Sequence, residues 1–424
     1  RAFAAYMSEK GKKTASLGRD CRLSSEHFRD LIVEGMVEGG LDVVDVGLVP
    51  TPLFYYSLFT LDVEGGIMIT GSHNPPTMNG FKVAFGKSTI FGDEIQYIGK
   101  LIEEKRFVRG KGAYREYKGI VEDYYGFLRS NIKLEKSFKV VVDAGNGTGG
   151  VVAVPILREM GQRVTGIFCE MDGHFPNHFP DPTVETNMET LRRTVLEQKA
   201  DIGIGYDGDS DRIGVIDDKG NIIWGDYLMI IFARDILKTH KGASFVSEVK
   251  CSKNLFDDVE MHGGVPVMWK AGHSLIKQKM KEIGALLGGE MSGHIFFADK
   301  FFGFDDAIYS SLRLLEIMGK GNRPLSEYLA DVPKSYSTPE IRIDCPDNEK
   351  FEVVRKLTDY YRGKFNIIDI DGVRALFDDG WGLVRSSNTQ PILVLRFEGQ
   401  SEEALERIQR MVMEDLGRIM KERV

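Results

Sequence analysis

The sequence predicts an α/β protein whose sheets are mostly parallel. Short runs rich in β-branched residues alternate with helical stretches through at least three successive blocks, which is the pattern of strand–helix layers. The 424 residues correspond to roughly three domains of about 150 residues each. A last, smaller block differs, because its strands precede one long amphipathic helix.

The elements of the first blocks are predicted in chain order from these patterns. Buried strands are expected at residues 14–17, 43–46, 66–70, 139–143, 163–168, 201–206 and 265–268. Helices are expected at residues 2–10, 26–39, 121–129, 154–160, 188–198 and 274–282. Polar or turn-rich sequence near Tyr117, Asn221 and Pro333 predicts the boundaries, which give domains at residues 1–117, 118–221, 222–333 and 334–424.

The last block is predicted to hold strands at residues 341–344, 365–370 and 392–397, followed by a helix that Ser401 caps. Apolar residues recur at helical spacing in that helix and form one face: Leu405, Ile408, Met411, Val412, Leu416 and Ile419. We expect this helix to serve packing and not chemistry.

Composition and charge exclude several classes of protein. The net charge is −8 and no dense run of Lys or Arg is present, which argues against nucleic acid as a partner. The apolar stretches are too short to span a bilayer, so no membrane association is expected. The four cysteines lie far apart, which is typical of a cytoplasmic protein. The chain begins at Arg1 inside a predicted helix, and we expect its natural N-terminus to lie further upstream.

Glycine is unusually abundant, at 47 of 424 residues, or about 11% against a usual share of roughly 7%. The glycines follow no repeat, so we expect many tight loops, some of them close to a ligand.

Three carboxylates follow the strand predicted at residues 201–206. Asp207, Asp209 and Asp211 stand at alternate positions, and such groups cannot crowd together without a cation because like charges repel. Carboxylate oxygens suit hard ions such as Mg²⁺ or Ca²⁺. Arg212, directly after the third carboxylate, argues against a calcium-binding EF-hand loop. The position at the end of a strand favours a compact Mg²⁺ site with room for a phosphate.

A second loop, residues 70–76, also follows a predicted strand and presents Ser72 between Gly71 and two prolines. A serine beside a Mg²⁺ site can carry a phosphoryl group, because the metal offsets its charge. Ser72 and His73 are neighbours in the chain, so we expect their side chains to diverge. That divergence argues against a hydrolase-type Ser–His pair.

Two further loops carry polar groups that suit a phosphorylated sugar. Residues 288–294 place Glu290, Ser292 and His294 among glycines, and carboxylates accept hydrogen bonds from sugar hydroxyls. Residues 385–391 combine Arg385 with hydroxyl, amide and backbone donors, which together suit a phosphate.

One segment indicates a different chemistry. Gly145, Gly147 and Gly150 satisfy the dinucleotide-binding pattern Gly-x-Gly-x-x-Gly after the strand predicted at residues 139–143, and Glu170 follows at a suitable distance. The pattern would suit an NAD-dependent oxidoreductase, which is kept as the competing function. It is weak in a chain so rich in glycine, and it leaves the three carboxylates unexplained.

Taken together and in this order, the four polar loops resemble those of the α-D-phosphohexomutase superfamily, most closely its bacterial bifunctional phosphomannomutase/phosphoglucomutase group. The resemblance extends over essentially the whole chain and includes residues 18–20, 172–187, 269–277 and 302–306. It implies three related α/β domains with mixed, largely parallel sheets and a smaller C-terminal α+β domain around a central cleft. The implied enzyme interconverts hexose 1-phosphate and 6-phosphate, of glucose, mannose or both, through a phosphoserine and a hexose 1,6-bisphosphate.

The resemblance also implies a role for each matching residue. Ser72 would carry the phosphoryl group and, with Asp207, Asp209 and Asp211, would hold one Mg²⁺ per active site. The residues implied near the transferring phosphate or in acid–base chemistry are His73, Lys82, Arg212, His273 and His294. Those implied to bind the sugar or its other phosphate are Lys250, Glu290, Ser292, Arg385, Ser387, Asn388 and Thr389.

Several points stay open at this level. The implied partners are phosphorylated hexoses, with hexose 1,6-bisphosphate as activator and intermediate, while a monomer and a dimer are both compatible with the sequence. A phosphoglucosamine mutase is a further alternative, although that group usually has Glu-Gln-Ser where this chain has Glu290, Met291 and Ser292. A sugar-phosphate binder without catalysis is a third. The family's Tyr-Asp-Ile-Arg-Gly loop would precede Arg1, and Ser210 replaces a usual Gly.

Overall fold

The computed structural model describes residues 1–388 and 390–422 and shows four successive units, each built on its own sheet. The predicted class is confirmed, because three α/β units with mixed sheets are followed by a smaller α+β unit. The boundaries near residues 117, 221 and 333 stay predictions. Among the described residues, no helix has both the length and the apolar character needed to cross a membrane.

The first unit holds a six-stranded sheet. Its elements are α1 (Ala2–Glu9), β1 (Thr14–Arg19), α2 (Ser25–Glu38), β2 (Asp42–Leu48), α3 (Thr51–Thr60), β3 (Gly65–Ile69), β4 (Phe81–Phe85), β5 (Ser88–Thr89), α4 (Asp93–Glu103) and β6 (Tyr114–Glu116). The strand order is β5-β4-β3-β1-β2-β6. Strands β3, β1, β2 and β6 pair in parallel, whereas β4 pairs antiparallel with both β3 and β5. Ser72 follows β3, so it lies at the carboxyl edge of the parallel strands.

The second unit has a five-stranded sheet. Its elements are α5 (Ile120–Asn131), β7 (Lys139–Asp143), α6 (Gly150–Glu159), β8 (Arg163–Ile167), a 3-10 turn (Glu185–Met188), α7 (Glu189–Gln198), β9 (Ile202–Tyr206), β10 (Ile213–Asp217) and β11 (Ile222–Ile223). The strand order is β11-β10-β9-β7-β8, and β7 is parallel to both its neighbours. The three-carboxylate loop connects β9 to the antiparallel β10.

The third unit has four strands. Its elements are α8 (Gly225–Leu237), β12 (Ser244–Glu248), α9 (Lys253–Met261), β13 (Val265–Trp269), α10 (His273–Ile283), β14 (Leu287–Gly289), β15 (Ile295–Phe297), α11 (Ala307–Lys320) and a 3-10 turn (Leu325–Glu327). The strand order is β13-β12-β14-β15. The last two strands are antiparallel, so Glu290, Ser292 and His294 lie on the hairpin that joins them.

The fourth unit is an antiparallel sheet covered by two helices. Its elements are β16 (Tyr336–Ser337), β17 (Ile341–Asp344), α12 (Lys350–Tyr361), β18 (Asn366–Ile368), β19 (Val373–Phe377), β20 (Gly380–Ser386), β21 (Ile392–Gly399) and α13 (Glu402–Lys421). The order is β16-β21-β20-β19-β18, with β17 also on β21. The predicted cap of α13 is confirmed, since Ser401 Oγ accepts a hydrogen bond from the amide of Ala404. Five residues of the predicted apolar face of α13 pack into the core of this unit: Leu405, Ile408, Val412, Leu416 and Ile419. Met411 is outside that core.

Aromatic rings join the first three units. The ring of Phe302 lies 4.9 Å from that of Phe59 on α3 and 5.2 Å from that of Phe127 on α5. These rings pack against one continuous core that draws residues from all three units. The shared core fixes the loops after β3, β9 and β14 relative to one another.

A buried arginine joins the fourth unit to the third. Arg374 of β19 donates hydrogen bonds to the carbonyl oxygens of Val249, at 2.7 Å, and Cys251, at 2.8 Å. Its guanidinium also lies 3.6 Å from the centre of the Trp381 ring. The two acceptors flank Lys250, so the fourth unit holds the backbone on both sides of a predicted substrate-binding residue.

Candidate active site

Ser72 lies against the three-carboxylate loop. Its Oγ donates a hydrogen bond to Asp207 Oδ2 at 2.7 Å, and its amide donates to Thr70 Oγ1 at 2.9 Å. The Nδ1 atom of His73 is 3.2 Å from the same Oγ, so the expectation that these two side chains diverge is wrong. The backbone gives the reason, because Ser72 has a left-handed φ of 47°, which changes the direction of its side chain.

The carboxylates of Asp207, Asp209 and Asp211 converge in the protein interior. They are fully buried, and one oxygen from each lies within 4.8 Å of the others. Lys82 Nζ donates to Asp209 Oδ2 at 2.7 Å and also contacts Asp211. Thr70 Oγ1 donates to the same oxygen of Asp209 at 2.9 Å. The structure thus brings the predicted serine, the three aspartates and the lysine together from two units.

The cluster fits a hard divalent cation. Asp209 Oδ1 and Asp211 Oδ1 are buried and have no hydrogen-bond partner among the described residues. Burial, together with the charges of those two neighbours, raises the pKa of Asp207 well above its ordinary value. Carboxylate oxygens that are buried, convergent and short of donors are the ligand set that Mg²⁺ prefers. These three side chains and Ser72 are therefore suited to hold such an ion.

A second cluster of predicted residues adjoins the carboxylates. Arg212 Nε donates to His294 Nε2 at 2.9 Å, and His294 Nδ1 lies 3.0 Å from Asp305 Oδ2. The ring of His273 stacks on that of His294 with 5.4 Å between centroids, and its Nδ1 lies 3.4 Å from the same oxygen of Asp305. Lys277 Nζ donates to Asp305 Oδ1 at 3.1 Å. One buried carboxylate therefore connects both histidines and a lysine.

Asp305 and Lys277 were not assigned a role from the sequence. Both lie in segments, residues 302–306 and 269–277, that carry the resemblance, and the adjacent pair of aspartates after a Gly–Phe step was the available signal. Their function was hidden because each acts on residues of other loops, which only the fold brings close.

The surroundings divide the basic groups of the site into two kinds. Burial, together with the nearby charge of Arg212, lowers the pKa of His73 to about 4. Burial likewise lowers the pKa of His273 below its ordinary value. Burial also opposes the charge of Lys82, but Asp209 and Asp211 outweigh it and raise the pKa of Lys82 well above its ordinary value. The site therefore combines neutral imidazoles with a permanently charged lysine.

The predicted sugar loop adds acidic groups close to the histidines. Glu290 Oε1 accepts a hydrogen bond from the amide of Gly272 at 2.5 Å, and Ser292 Oγ lies 3.4 Å from Glu290 Oε2. Lys250 Nζ is 3.3 Å from Glu248 and 3.1 Å from Glu340, a residue near the start of the fourth unit. Neither of those two glutamates was predicted.

The predicted phosphate loop lies on the fourth unit. Arg385 is buried and its Nε donates to Asp371 Oδ2 at 2.9 Å. Ser387 Oγ accepts a hydrogen bond from the amide of Gln390 at 3.1 Å, and Asn388 is exposed. Thr389, predicted to bind phosphate, lies outside the described residues.

The start of α10 connects these groups into one site. The amide of Ala271 donates to Asp371 Oδ2 at 2.9 Å, which is the oxygen that Arg385 contacts. The next amide, that of Gly272, donates to Glu290, and the next residue is His273. Three consecutive residues thus contact Asp371, which binds Arg385 of the phosphate loop, contact the sugar loop, and begin the histidine cluster.

The glycine-rich segment after β7 packs closely against protein backbone. A Cβ at Gly147 would lie 2.5 Å from the carbonyl oxygen of Gly208, and one at Gly150 would lie 2.6 Å from that of Cys169. These glycines are needed for close approach to protein backbone, in part to the carboxylate loop itself, and not to a ligand. The competing interpretation as an NAD-dependent oxidoreductase is therefore not favoured.

Comparison with known proteins identifies the family of the chain. Models of one family match successive parts of the chain: phosphoglucomutase/phosphomannomutase alpha/beta/alpha domain I at residues 1–109, domain II at 121–220, domain III at 224–336 and the C-terminal domain at 340–415. The phosphomannomutase/phosphoglucomutase of Pseudomonas aeruginosa is 45% identical over 409 residues, which are 96% of this chain and 88% of that protein. The chain belongs to the phosphoglucomutase/phosphomannomutase family.

Two other relatives of this family show how far the likeness extends. A phosphoglucomutase of Neisseria gonorrhoeae is 43% identical over 414 residues, covering 96% of this chain and 90% of that protein. A crystal structure of a phosphoglucomutase/phosphomannomutase family protein from Burkholderia thailandensis has a TM-score of 0.92 and 40% identity, over 98% of this chain and 92% of that one.

Proposed function

We propose that this chain is a phosphohexomutase that interconverts the 1-phosphate and 6-phosphate of glucose, mannose or both. Phosphorylated Ser72 gives its phosphoryl group to the free hydroxyl of the sugar phosphate, and the resulting 1,6-bisphosphate returns its other phosphoryl group to Ser72. The observation that carries the proposal is the position of Ser72 Oγ, 2.7 Å from Asp207 within the carboxylate cluster. Relatives named for this reaction, at 43–45% identity, support it.

We assign Asp207, Asp209 and Asp211, with the phosphate on Ser72, as the ligands of one Mg²⁺. The ion would supply positive charge to the phosphoryl oxygens during transfer. Lys82 and Arg212 add fixed cations near these carboxylates. Because both half-reactions transfer the same group, one set of cations can serve both.

We assign the proton transfers to the stacked histidine pair. His273 has a pKa lowered by burial, so its imidazole is neutral near pH 7 and able to accept a proton. Asp305 Oδ2 lies 3.4 Å from Nδ1 of His273 and 3.0 Å from Nδ1 of His294, which places a negative charge beside both rings. His73, whose pKa is lowered to about 4, remains neutral beside Ser72 Oγ and adds no charge there.

We assign the sugar to the loop on the third unit and its second phosphate to the loop on the fourth. Glu290 and Ser292 would bind hydroxyls O3 and O4, which are equatorial in both glucose and mannose. Only C2 differs between these sugars, so one site can accept both. Lys250 supports this part of the site, whereas Arg385, Ser387, Asn388 and Thr389 would bind the phosphate that is not transferred.

Hexose 1,6-bisphosphate as an activator follows from the same scheme, because it can phosphorylate an unmodified Ser72. The cytoplasm is proposed as the location on the wide spacing of the four cysteines. Monomer and dimer both stay compatible with these observations.

Intact-mass spectrometry after incubation with glucose 1,6-bisphosphate tests the proposal. The chain should gain one phosphoryl group, about 80 Da, and Ser72→Ala should gain none and lose nearly all turnover while still binding sugar phosphate. Ser130→Ala, which removes an exposed hydroxyl on α5, is the matched control and should behave as the unmodified chain. Substantial mutase activity in Ser72→Ala would refute the phosphoserine role.

A further inference from the structure

Arg22 is a fully buried arginine that the reaction outlined above does not use. Its Nε donates to Asp20 Oδ2 at 3.1 Å, and its guanidinium lies 5.0 Å from the centre of the Phe175 ring. Its four remaining N–H groups donate to main-chain carbonyls of the serine loop, residues 70–80 between β3 and β4, at 2.6–2.8 Å: those of Ser72, Asn74, Pro75 and Met78. All five donors of one guanidinium are thus satisfied, four of them by a single loop.

The conformation of that loop needs such support. Ser72 has φ of 47°, a left-handed conformation that costs an ordinary residue about 1–2 kcal/mol. The same conformation directs Oγ toward Asp207 and His73. Of the groups that contact the loop, only Arg22 contacts the carbonyl oxygen of Ser72 and those of three later residues at once, as far as the described residues show.

Gly71 shows how closely the guanidinium and the loop fit. A Cβ at Gly71 would lie 2.4 Å from Arg22 Nε and 2.5 Å from Cζ, well inside contact distance. The glycine amide also donates to Asp20 Oδ2, the oxygen that Arg22 Nε contacts. A side chain at position 71 would therefore displace the guanidinium without removing its charge.

We propose that Arg22 is a positioning residue that holds Ser72 in the left-handed conformation required for phosphoryl transfer. The inference rests on the proposed role of Ser72 as the phosphoserine. All five donors of Arg22 are occupied by Asp20 and the loop backbone, so it acts through the loop and not directly on the sugar or the transferring group. It follows that Arg22 governs how fast Ser72 accepts and donates the phosphoryl group, and not how tightly the sugar phosphate binds to the third and fourth units.

Two substitutions test this by different routes. Arg22→Lys keeps the charge but offers three donors in place of five, and Gly71→Ala displaces the guanidinium. A displacement of about 1 Å at a reacting atom can cost about 100-fold in rate. We expect kcat, and the rate at which glucose 1,6-bisphosphate phosphorylates Ser72, to fall about 100-fold in each variant, with KM for the sugar phosphate changed less than about threefold. The double variant should be no slower than the worse single one, because both act on one contact.

Matched controls separate positioning from general stability. Arg313→Lys weakens another buried arginine, paired with Asp299 on the third unit, and should lower the thermal midpoint but leave kcat unchanged. Gly99→Ala adds a methyl group on α4 where nothing lies within 4 Å, and should be neutral.

The outcomes distinguish this inference from the proposed function. If the unmodified chain takes up no phosphate on Ser72, the proposed function fails. If the unmodified chain is phosphorylated and Arg22→Lys and Gly71→Ala match it in kcat and phosphorylation rate, the positioning role of Arg22 is refuted. The role is also refuted if Arg22→Lys loses no more kcat than Arg313→Lys at an equal fall in thermal midpoint. Such a result would show that the loss comes from general destabilisation. If Arg22→Lys does not fold, Gly71→Ala alone decides.

Discussion

Asp306 should make the third unit less stable as the pH rises, and Asp306→Asn should remove most of that dependence. The carboxyl is 1% exposed and caps α11, where Oδ1 accepts from the amide of Tyr309 at 2.8 Å. Its Oδ2 accepts from the hydroxyl of Tyr124 at 2.7 Å. Burial raises the pKa of Asp306 from 3.8 to about 7, although these hydrogen bonds act in the opposite direction.

The sign and size of the effect follow from the two pKa values. Between about pH 4 and pH 7 the folded chain keeps a proton that the unfolded chain has lost, so each pH unit costs about 1.4 kcal/mol of folding free energy. The stability that the protonated Asp306 carboxyl contributes is complete below the pKa of Asp306 in the unfolded chain. It is lost as the pH rises through the pKa of Asp306 in the folded chain. The total loss is ~4 kcal/mol, of which ~3 kcal/mol falls between pH 5 and pH 7.5. An asparagine keeps the capping oxygen but has no proton to bind.

The measurement is urea unfolding at pH 5 and pH 7.5, followed by tryptophan fluorescence, since Trp224 and Trp269 both lie in the third unit. Between pH 5 and pH 7.5, the free energy of unfolding of Asp306→Asn should rise by ~3 kcal/mol relative to that of the unmodified chain. Asp257→Asn, which removes an exposed carboxylate on α9, is the control and should follow the unmodified chain. Parallel pH dependences of the unmodified chain and Asp306→Asn would refute the reasoning.

Three further substitutions give separate tests. Ser210→Gly should raise the thermal midpoint by about 2–4 °C in calorimetry, because φ is 61° and the buried hydroxyl has no hydrogen-bond partner among the described residues; a lower midpoint would contradict this. Arg374→Met should raise KM for the sugar phosphate about tenfold in steady-state kinetics while changing kcat less, because it loosens the backbone around Lys250; an unchanged KM would show that this anchor is dispensable. Leu416→Ala should cost about 2–5 kcal/mol in urea unfolding, since the side chain is buried on α13, and a cost near zero would disprove that packing.

The fold was predictable from the sequence wherever an element had a clear pattern. The strand predicted at residues 139–143 is β7, and the amphipathic α13 begins after its predicted cap. By contrast, α3 and α11 were not predicted. In α3, eight of the ten residues are buried, so no polar face marks a helical period there. Such helices form because tertiary packing stabilises them, which is information that the local sequence does not contain.

The candidate site was predictable loop by loop, because each loop follows a strand and carries its own chemistry. Which loops meet was not predictable from spacing. Arg22 contacts carbonyls 50–56 residues away, and the amide of Ala271 contacts Asp371 at a separation of 100 residues. The same applies to Asp305, which acts on His273 and on a residue of another loop. Supporting residues of this kind have no sequence motif, because their partners are distant in the chain and come into contact only in the folded structure.

The charges of the site explain why the serine, the aspartates and the basic residues must occur together. Three buried carboxylates are opposed within the cluster by Lys82 and Arg212, which leaves a net charge of −1. A phosphoryl group on Ser72 adds about −1.5 to −2 within a few ångströms of Asp207. Burial and like charge already raise the pKa of Asp207 well above its ordinary value, and a further dianion would raise it more. A divalent cation on the carboxylates removes that conflict, and it follows that ion binding and phosphorylation of Ser72 stabilise each other.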